Sequence, residues 1–206
     1  MARLWASRSP ATVVRSPEEA VILASVVEKE TGLATERPRV AAVFSNRLRM
    51  GVRLESDPTI VYGITHGRPL GRGIRQSELQ ADTGYNTYLI DGLPPTPIAN
   101  PGKDAIAAVL NPPRSNDLFF VADGTGGHVF ASTYEQHLSN VARWREIERR
   151  KANLPPGATP PAAPGALAPG TAPTDQPLTG EAVITMQQPG TVTPSRPLRP
   201  ATADPR

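Results

Sequence analysis

Apolar residues recur at helical spacing through the first fifty positions and at strand spacing later on, and these two rhythms divide the chain into elements. At about 100° per residue, Ile22, Leu23, Val26, Val27 and Leu33 share one stripe of a helix running from Ser16 to Gly32. Ser16 can cap that helix and Pro17 suits its first position. Glu19 completes a capping box by reaching back to the Ser16 N–H, and Gly32 is the stop. Glu30 lies inside the apolar stripe, one turn beyond Val26, while Glu28 points nearly the other way. A carboxyl on a buried face loses hydration, so its charged form is disfavoured and its pKa rises. A proton held near neutral pH is what a general acid needs. The competing reading is a glutamate paired with one of the chain's many arginines.

A second helix is expected over "TERPRVAAVFSNRLRMG", with Val40, Val43, Phe44 and Leu48 on one side and Gly51 as its stop. A brief strand, "VRLE", follows. Asp57-Pro58-Thr59 then reads as a capped start that feeds Ile60, Val61 and Tyr62 into a short helix cut off at Gly63. Residues 65–73, rich in Gly and Arg, form a loop. Alternation of Tyr85, Thr87 and Leu89 against Asn86, Tyr88 and Ile90 suits a strand, with Asp91-Gly92 as a turn. Pro94, Pro95 and Pro97 forbid regular structure until Asn100 caps a helix with Ala105, Ile106, Val109 and Leu110 inward. "LFFVA" and "HVFAS", joined by "DGTGG", make a hairpin, and Thr133 caps a last helix from Tyr134 to about Arg150. Helices and antiparallel strands mix without a βαβ rhythm, so the expected class is α+β.

Composition changes the picture at one place. All ten aromatic residues lie between Trp5 and Trp144, whereas 13 of the 24 prolines lie beyond Lys151. The Pro/Ala-rich stretch 151–206 has no aromatic anchor and is expected to be a disordered tail. Residues 1–150 are then one domain with one core. Those residues carry 18 basic and 16 acidic side chains, so the formal net charge of +3 reflects no large basic surface. Arg47, Arg49 and Arg53 are better read as a solvated helix end than as a phosphate site, and no nucleic-acid motif accompanies them. The chain has no cysteine, and His66, His128 and His137 lack zinc-ligand spacing, so no metal or other cofactor is expected. No segment is long and apolar enough to span a membrane, and the first fifteen residues are no signal peptide.

The runs "LASVVEKET", "RVAAVFSNRLRMGVRLESDPTIVYG", "YNTYLIDGLPPTPIANPGKDAI" and "LFFVADGTGGHVFAS" together resemble the catalytic domain of the MltG (YceG-like) endolytic murein transglycosylases, in order and spacing, over residues 20–147. Four runs in register are far more specific than one short motif. The resemblance implies cleavage of peptidoglycan glycan strands between N-acetylmuramic acid and N-acetylglucosamine. The muramic acid C6 hydroxyl closes onto C1, leaving a 1,6-anhydro end. It places the catalytic acid at the second glutamate of "EKET", which is Glu30.

A hydrolytic glycosidase needs two carboxyl groups; a lytic enzyme can use one twice, first as acid and then as base. Ser56, Asp57, Thr59, Tyr62, Tyr85, Asn86, Thr87, Tyr88 and Asn100 lie on the matching runs and offer the flat faces and polar groups of a glycan cleft. Asp57 and Asn100 also suit helix caps, and His128 and His137 read as structural hydrogen-bonding groups. Family members carry a membrane helix and a LysM-like region ahead of the catalytic part. This chain opens at the catalytic edge, so a fragment or a truncated reading frame is expected. The implied setting is the periplasmic face of the bacterial inner membrane, with glycan strands as substrate and cell-wall synthases as partners. Two other readings stay open. One is a muramidase-like hydrolase using Glu30 with Asp57 or Glu55, and the other is a non-catalytic glycan-binding module.

Overall fold

The computed structural model describes residues 1–153, and all but the first three residues of the tail expected at 151–206 lie outside the described residues. The elements are α1 (Ala2–Ala6), α2 (Pro17–Glu30), α3 (Arg37–Arg49), α4 (Asp57–Thr65), α5 (Gln76–Leu79), α6 (Lys103–Leu110), β1 (Phe119–Ala122), β2 (His128–Ala131) and α7 (Tyr134–Ala152). Helices and one antiparallel hairpin make this an α+β fold.

Three helices build the main core. α2, α3 and α6 pack on one another, with Leu23, Val26, Val27, Val40, Val43, Phe44, Val109 and Leu110 wholly buried among them. Burying that much aliphatic surface is what holds short helices in place, since such segments are marginal on their own. The hairpin pairs Phe119 with Ala131 and Phe120 with Phe130. Its Phe120 meets Phe44 edge to face at 5.9 Å, which ties the sheet to α3. α7 covers the other side of the hairpin through Val141 and Trp144. A second, smaller core of Ile60, Ile74 and Leu79 sits beneath α4, joined by Tyr88 from its edge.

Several ends and turns differ from expectation, each for a local reason. The Ser16 hydroxyl caps α2 by accepting from the Glu19 N–H, but the Glu19 carboxylate accepts from Arg15 N–H at 2.7 Å rather than from Ser16. α2 ends at Glu30 because Thr31 turns extended, so Leu33 leaves the stripe and lies exposed. "VRLE" forms no strand among the described residues: the carbonyls of Arg53 and Leu54 accept from the buried Arg47 guanidinium instead of a neighbouring strand. Residues 85–90 form a turn. There Asn86 Oδ1 accepts from Tyr88 N–H and the Asn86 carbonyl from Leu89 and Ile90, the local competition with sheet pairing that asparagine favours. The cap of α6 is Gly102, not Asn100, which is exposed. The Gly102 N–H is taken by the Glu28 carboxylate of α2 at 2.9 Å.

α4 runs through Gly63 and stops at His66, which takes the left-handed conformation with φ 50°. Glycine is required at 63 by space rather than by backbone angle, because a Cβ there would lie 2.2 Å from Thr83 Oγ1. Gly63→Ala is therefore expected to cost about 1–3 kcal/mol through overpacking, despite alanine's better helix propensity. A thermal melt no lower than wild type would show that the 83 loop yields freely.

Candidate active site

Glu30 is the last residue of α2, set above the wholly buried Val26 and Val27. Among the described residues no lysine or arginine pairs with it; its hydrogen-bond partner is Ser56, whose Oγ donates to Glu30 Oε1 at 2.5 Å. Burial pushes the Glu30 carboxyl up to about 7. The Ser56 hydrogen bond and the nearby His128 oppose that rise, and the charge of Asp57 adds to it. The position at a helix C-terminus, where a negative charge is disfavoured, acts in the same upward sense. The arginine-paired alternative is thus replaced by a desolvated carboxyl with one hydroxyl donor.

The chain just after Glu30 is clamped. Thr31 Oγ1 donates to Glu36 Oε2 at 3.1 Å, and Glu36 in turn accepts from the His128 backbone N–H and meets His128 Nδ1, both at 2.8 Å. Burial alone would raise the Glu36 carboxyl; its bonds from His128 and Thr31 outweigh burial and hold it below the usual range. One carboxylate therefore pins the end of α2 to the start of β2. Glu28 does a comparable job on the other side of the helix, pairing with Arg37 at 3.3 Å as well as with Gly102.

Opposite Glu30, residues 55–59 and 86–88 knit into one unit. Thr87 Oγ1 accepts from Ser56 N–H at 2.9 Å, and Thr59 Oγ1 donates to the Ser56 carbonyl at 2.6 Å. The two threonine hydroxyls meet at 2.9 Å, which leaves Thr87 as donor to Thr59. Asp57 follows Ser56, with its Oδ1 accepting from the Tyr88 hydroxyl at 2.7 Å. Burial raises Asp57 to about 7 against that hydrogen bond, while burial and the Asp57 charge raise the Tyr88 hydroxyl well above its ordinary value, so Tyr88 stays a donor.

The structure separates the residues named from sequence into groups. Ser56, Asp57 and Tyr88 gather around Glu30. Thr59, Thr87 and Asn86 are fully buried, and their bonds run inward, Asn86 Nδ2 donating to the carbonyls of Leu79 and Ala81. In this conformation they support the site rather than face solvent. Tyr62 and Tyr85 meet at 4.9 Å between ring centres, with His66 at 5.8 Å from Tyr62, and Tyr85 Oη bonds Thr96 Oγ1 at 2.9 Å. Asn100 stands apart on the exposed turn before α6.

Two expectations about charged side chains change. Arg47 is no solvated helix end but wholly buried, donating to the carbonyls of Leu118 and Arg53 and to Glu55. His137 is buried and, among the described residues, has no hydrogen-bond partner on either ring nitrogen; it stacks on Phe119 at 5.1 Å, and burial lowers its pKa to about 4. Sequence reasoning also missed the Thr31–Glu36–His128 clamp and the place of His66, both made by residues far apart in the chain. Among the described residues, no group of histidine, aspartate and glutamate is arranged to hold a metal ion.

An α+β domain in which a desolvated glutamate at a helix end meets a serine hydroxyl, beside a buried Asp57–Tyr88 pair, has the layout of a site that can hold a proton near neutral pH. The chain belongs to the YceG-like family, whose sequence model matches residues 2–143. It is 36% identical over 135 residues to the endolytic murein transglycosylase of Bacillus subtilis (strain 168), covering 66% of this chain and 36% of that protein. To the endolytic murein transglycosylase of Streptococcus pneumoniae serotype 2 it is 40% identical over 130 residues, 60% of this chain and 23% of the relative. The 2.6 Å crystal structure of a yceG-like protein from Listeria monocytogenes matches with a TM-score of 0.53 at 34% identity, over 59% of this chain and 38% of that one. The chain thus spans well under half the length of each of these relatives.

Proposed function

We propose that this chain carries the catalytic part of an endolytic murein transglycosylase, a lyase that cuts glycan strands between N-acetylmuramic acid and N-acetylglucosamine. The observation that carries the reading is Glu30: a carboxyl that burial raises to about 7, with a hydroxyl and no cation as its partner, in a family whose named relatives are murein transglycosylases. In this reading, protonated Glu30 gives its proton to the bridging oxygen as the C1–O bond breaks, and the N-acetylglucosamine side departs as an alcohol. The Glu30 carboxylate then takes the proton of the C6 hydroxyl as O6 bonds to C1, which restores the acid. Nothing is consumed, so one carboxyl suffices, and the nucleophile's proximity is supplied by the substrate itself. The Tyr62–Tyr85 ring pair offers flat faces suited to sugar rings.

Asp57 supports the lytic reading over a hydrolytic one. A hydrolase would need it ionised and free to attack or to activate water, yet Tyr88 occupies Oδ1 and burial raises its pKa to about 7, so it ionises less readily than an ordinary aspartate. The reading extends to nascent strands at the outer face of the inner membrane, with cell-wall synthases nearby. Among the described residues no helix is long and apolar enough to cross a membrane.

The test is product chemistry. Purified glycan strands incubated with the chain are expected to yield internal cuts ending in 1,6-anhydromuramic acid by mass spectrometry. Reducing muramic acid ends would instead establish the hydrolase. Intact strands with bound protein would establish a non-catalytic binding module.

A further inference from the structure

Two local costs fall on two adjacent residues, Glu55 and Ser56, and they share one outcome. Glu55 takes the left-handed conformation at φ 51°, which costs a residue with a side chain about 1 kcal/mol or more. Ser56 occupies the N-cap of α4, where a serine hydroxyl ordinarily accepts from the first turn and contributes about 1 kcal/mol. Here it makes no cap bond. Its hydroxyl is turned away from its own helix and donates to Glu30 Oε1. The Ser56 backbone is fixed at both ends, its N–H by Thr87 Oγ1 and its carbonyl by Thr59 Oγ1, two side chains with no exposed surface. The preceding peptide is fixed as well, with Glu55 N–H donating to the Thr87 carbonyl at 3.2 Å and the Glu55 carboxylate accepting from buried Arg47 at 3.2 Å.

From this geometry we infer that Ser56 is a positioning residue. It holds Oε1 of Glu30 by hydrogen bond so that Oε2 is the oxygen that carries and delivers the proton, and the Thr59–Thr87 pair exists to aim it. The inference rests on Glu30 being the acid of the proposed reaction. A serine that merely stabilised the fold would cap α4. Spending the hydroxyl on the acid, with a strained residue beside it, is what a site that must hold one carboxyl in one rotamer requires.

The direction of a titration separates this role from simple damage. A hydrogen bond to the charged form lowers a carboxyl pKa, so removing it with the pocket intact raises the pKa. A substitution that let water in would lower it toward the ordinary carboxyl value. The experiment compares wild type, Ser56→Ala and Ser56→Thr in the 206-residue chain. It follows glycan-strand turnover and the 13C carboxyl titration of Glu30, assigned by the signal that Glu30→Gln removes. Ser56→Ala is expected to lower kcat by about tenfold to a hundredfold with KM within about twofold. The Glu30 titration should move to higher pH, and Ser56→Thr, which keeps the hydroxyl, should restore most of kcat. An unchanged titration, a titration shifted down, or a loss confined to KM would each overturn the positioning role. Glu30→Gln is the separate control: if it still turns over strands, the proposed reaction at Glu30 falls, while the titration alone still decides whether Ser56 holds that carboxyl.

Discussion

Glu30→Gln is expected to lose strand cleavage by a factor of about a hundred to ten thousand while melting at a higher temperature than wild type in alkaline buffer. Both effects come from one environment. Glutamine keeps the shape and can still accept from Ser56, but it has no proton to give. For stability, the folded-state value of Glu30 is raised to about 7 from an ordinary 4.5, so the folded protein binds the proton more tightly than the unfolded chain. Wild-type stability therefore declines as pH rises from the unfolded value through the folded one, and the full penalty is present above it. That penalty is on the order of 2–3 kcal/mol, and glutamine escapes it. The two proteins should melt alike near pH 4.5 and diverge by pH 8.5. Asp57, also raised to about 7, adds its own decline to both curves and so does not erase the difference.

Glu28→Gln is the matched comparison. It weakens the Arg37 pair and the bond from Gly102 N–H, a loss of about 1 kcal/mol, and should leave turnover near wild type. Parallel melting curves for Glu30→Gln and wild type across this pH range would show that the carboxyl is hydrated and the acid assignment unsupported. An inactive Glu28→Gln beside an active Glu30→Gln would reverse the assignment outright.

How much of this was legible in the chain depends on the range of the interactions. The stripe of Leu23, Val26 and Val27 with Glu30 inside it is a local property of one helix, and periodicity alone exposes it. The hairpin at 119–131 and the Ser16 and Thr133 caps are likewise decided within a few residues. The misreadings share a different character. "VRLE" and the stretch 85–90 both look like strands by composition, but each finds its hydrogen bonds elsewhere, one in a guanidinium from α3 and the other in the Asn86 side chain. Asn100 and Gly102 are two residues apart, and the choice of cap was settled by Glu28, some seventy positions upstream. Ser56 could be named as a site residue from its run of sequence. Its role could not, because the hydroxyl's choice of Glu30 over its own helix is made by Thr59 and Thr87 in three dimensions.

Arg47→Leu is expected to destabilise the fold more than any change at the site, by about 3–5 kcal/mol, enough to lower the melting temperature by roughly 10 °C or more. The guanidinium has no exposed surface, and burial pulls its pKa below the ordinary value. Its Nε donates to the Leu118 carbonyl at 2.8 Å, at the entry to β1, and Nη1 donates to the Arg53 carbonyl at 2.7 Å and to Glu55 Oε2. It also lies over the Phe119 ring at 5.3 Å. Leucine matches part of the volume and none of the donors, so the carbonyls of Leu118, Arg53 and Leu54 lose a partner and the Glu55 carboxylate loses its buried cation.

Adding Glu55→Gln to Arg47→Leu should recover part of the loss, because a neutral amide tolerates that position better than a carboxylate stripped of its cation. The recovery should be incomplete, since the carbonyls of Arg53, Leu54 and Leu118 still lack the guanidinium donor. Urea denaturation of the single and double variants measures both terms. An Arg47→Leu protein within about 1 kcal/mol of wild type would mean that the loop 52–56 refolds around the missing cation. Its strained Glu55 would then be free to relax, and Ser56 would lose its aim at Glu30 in a protein that still melts normally.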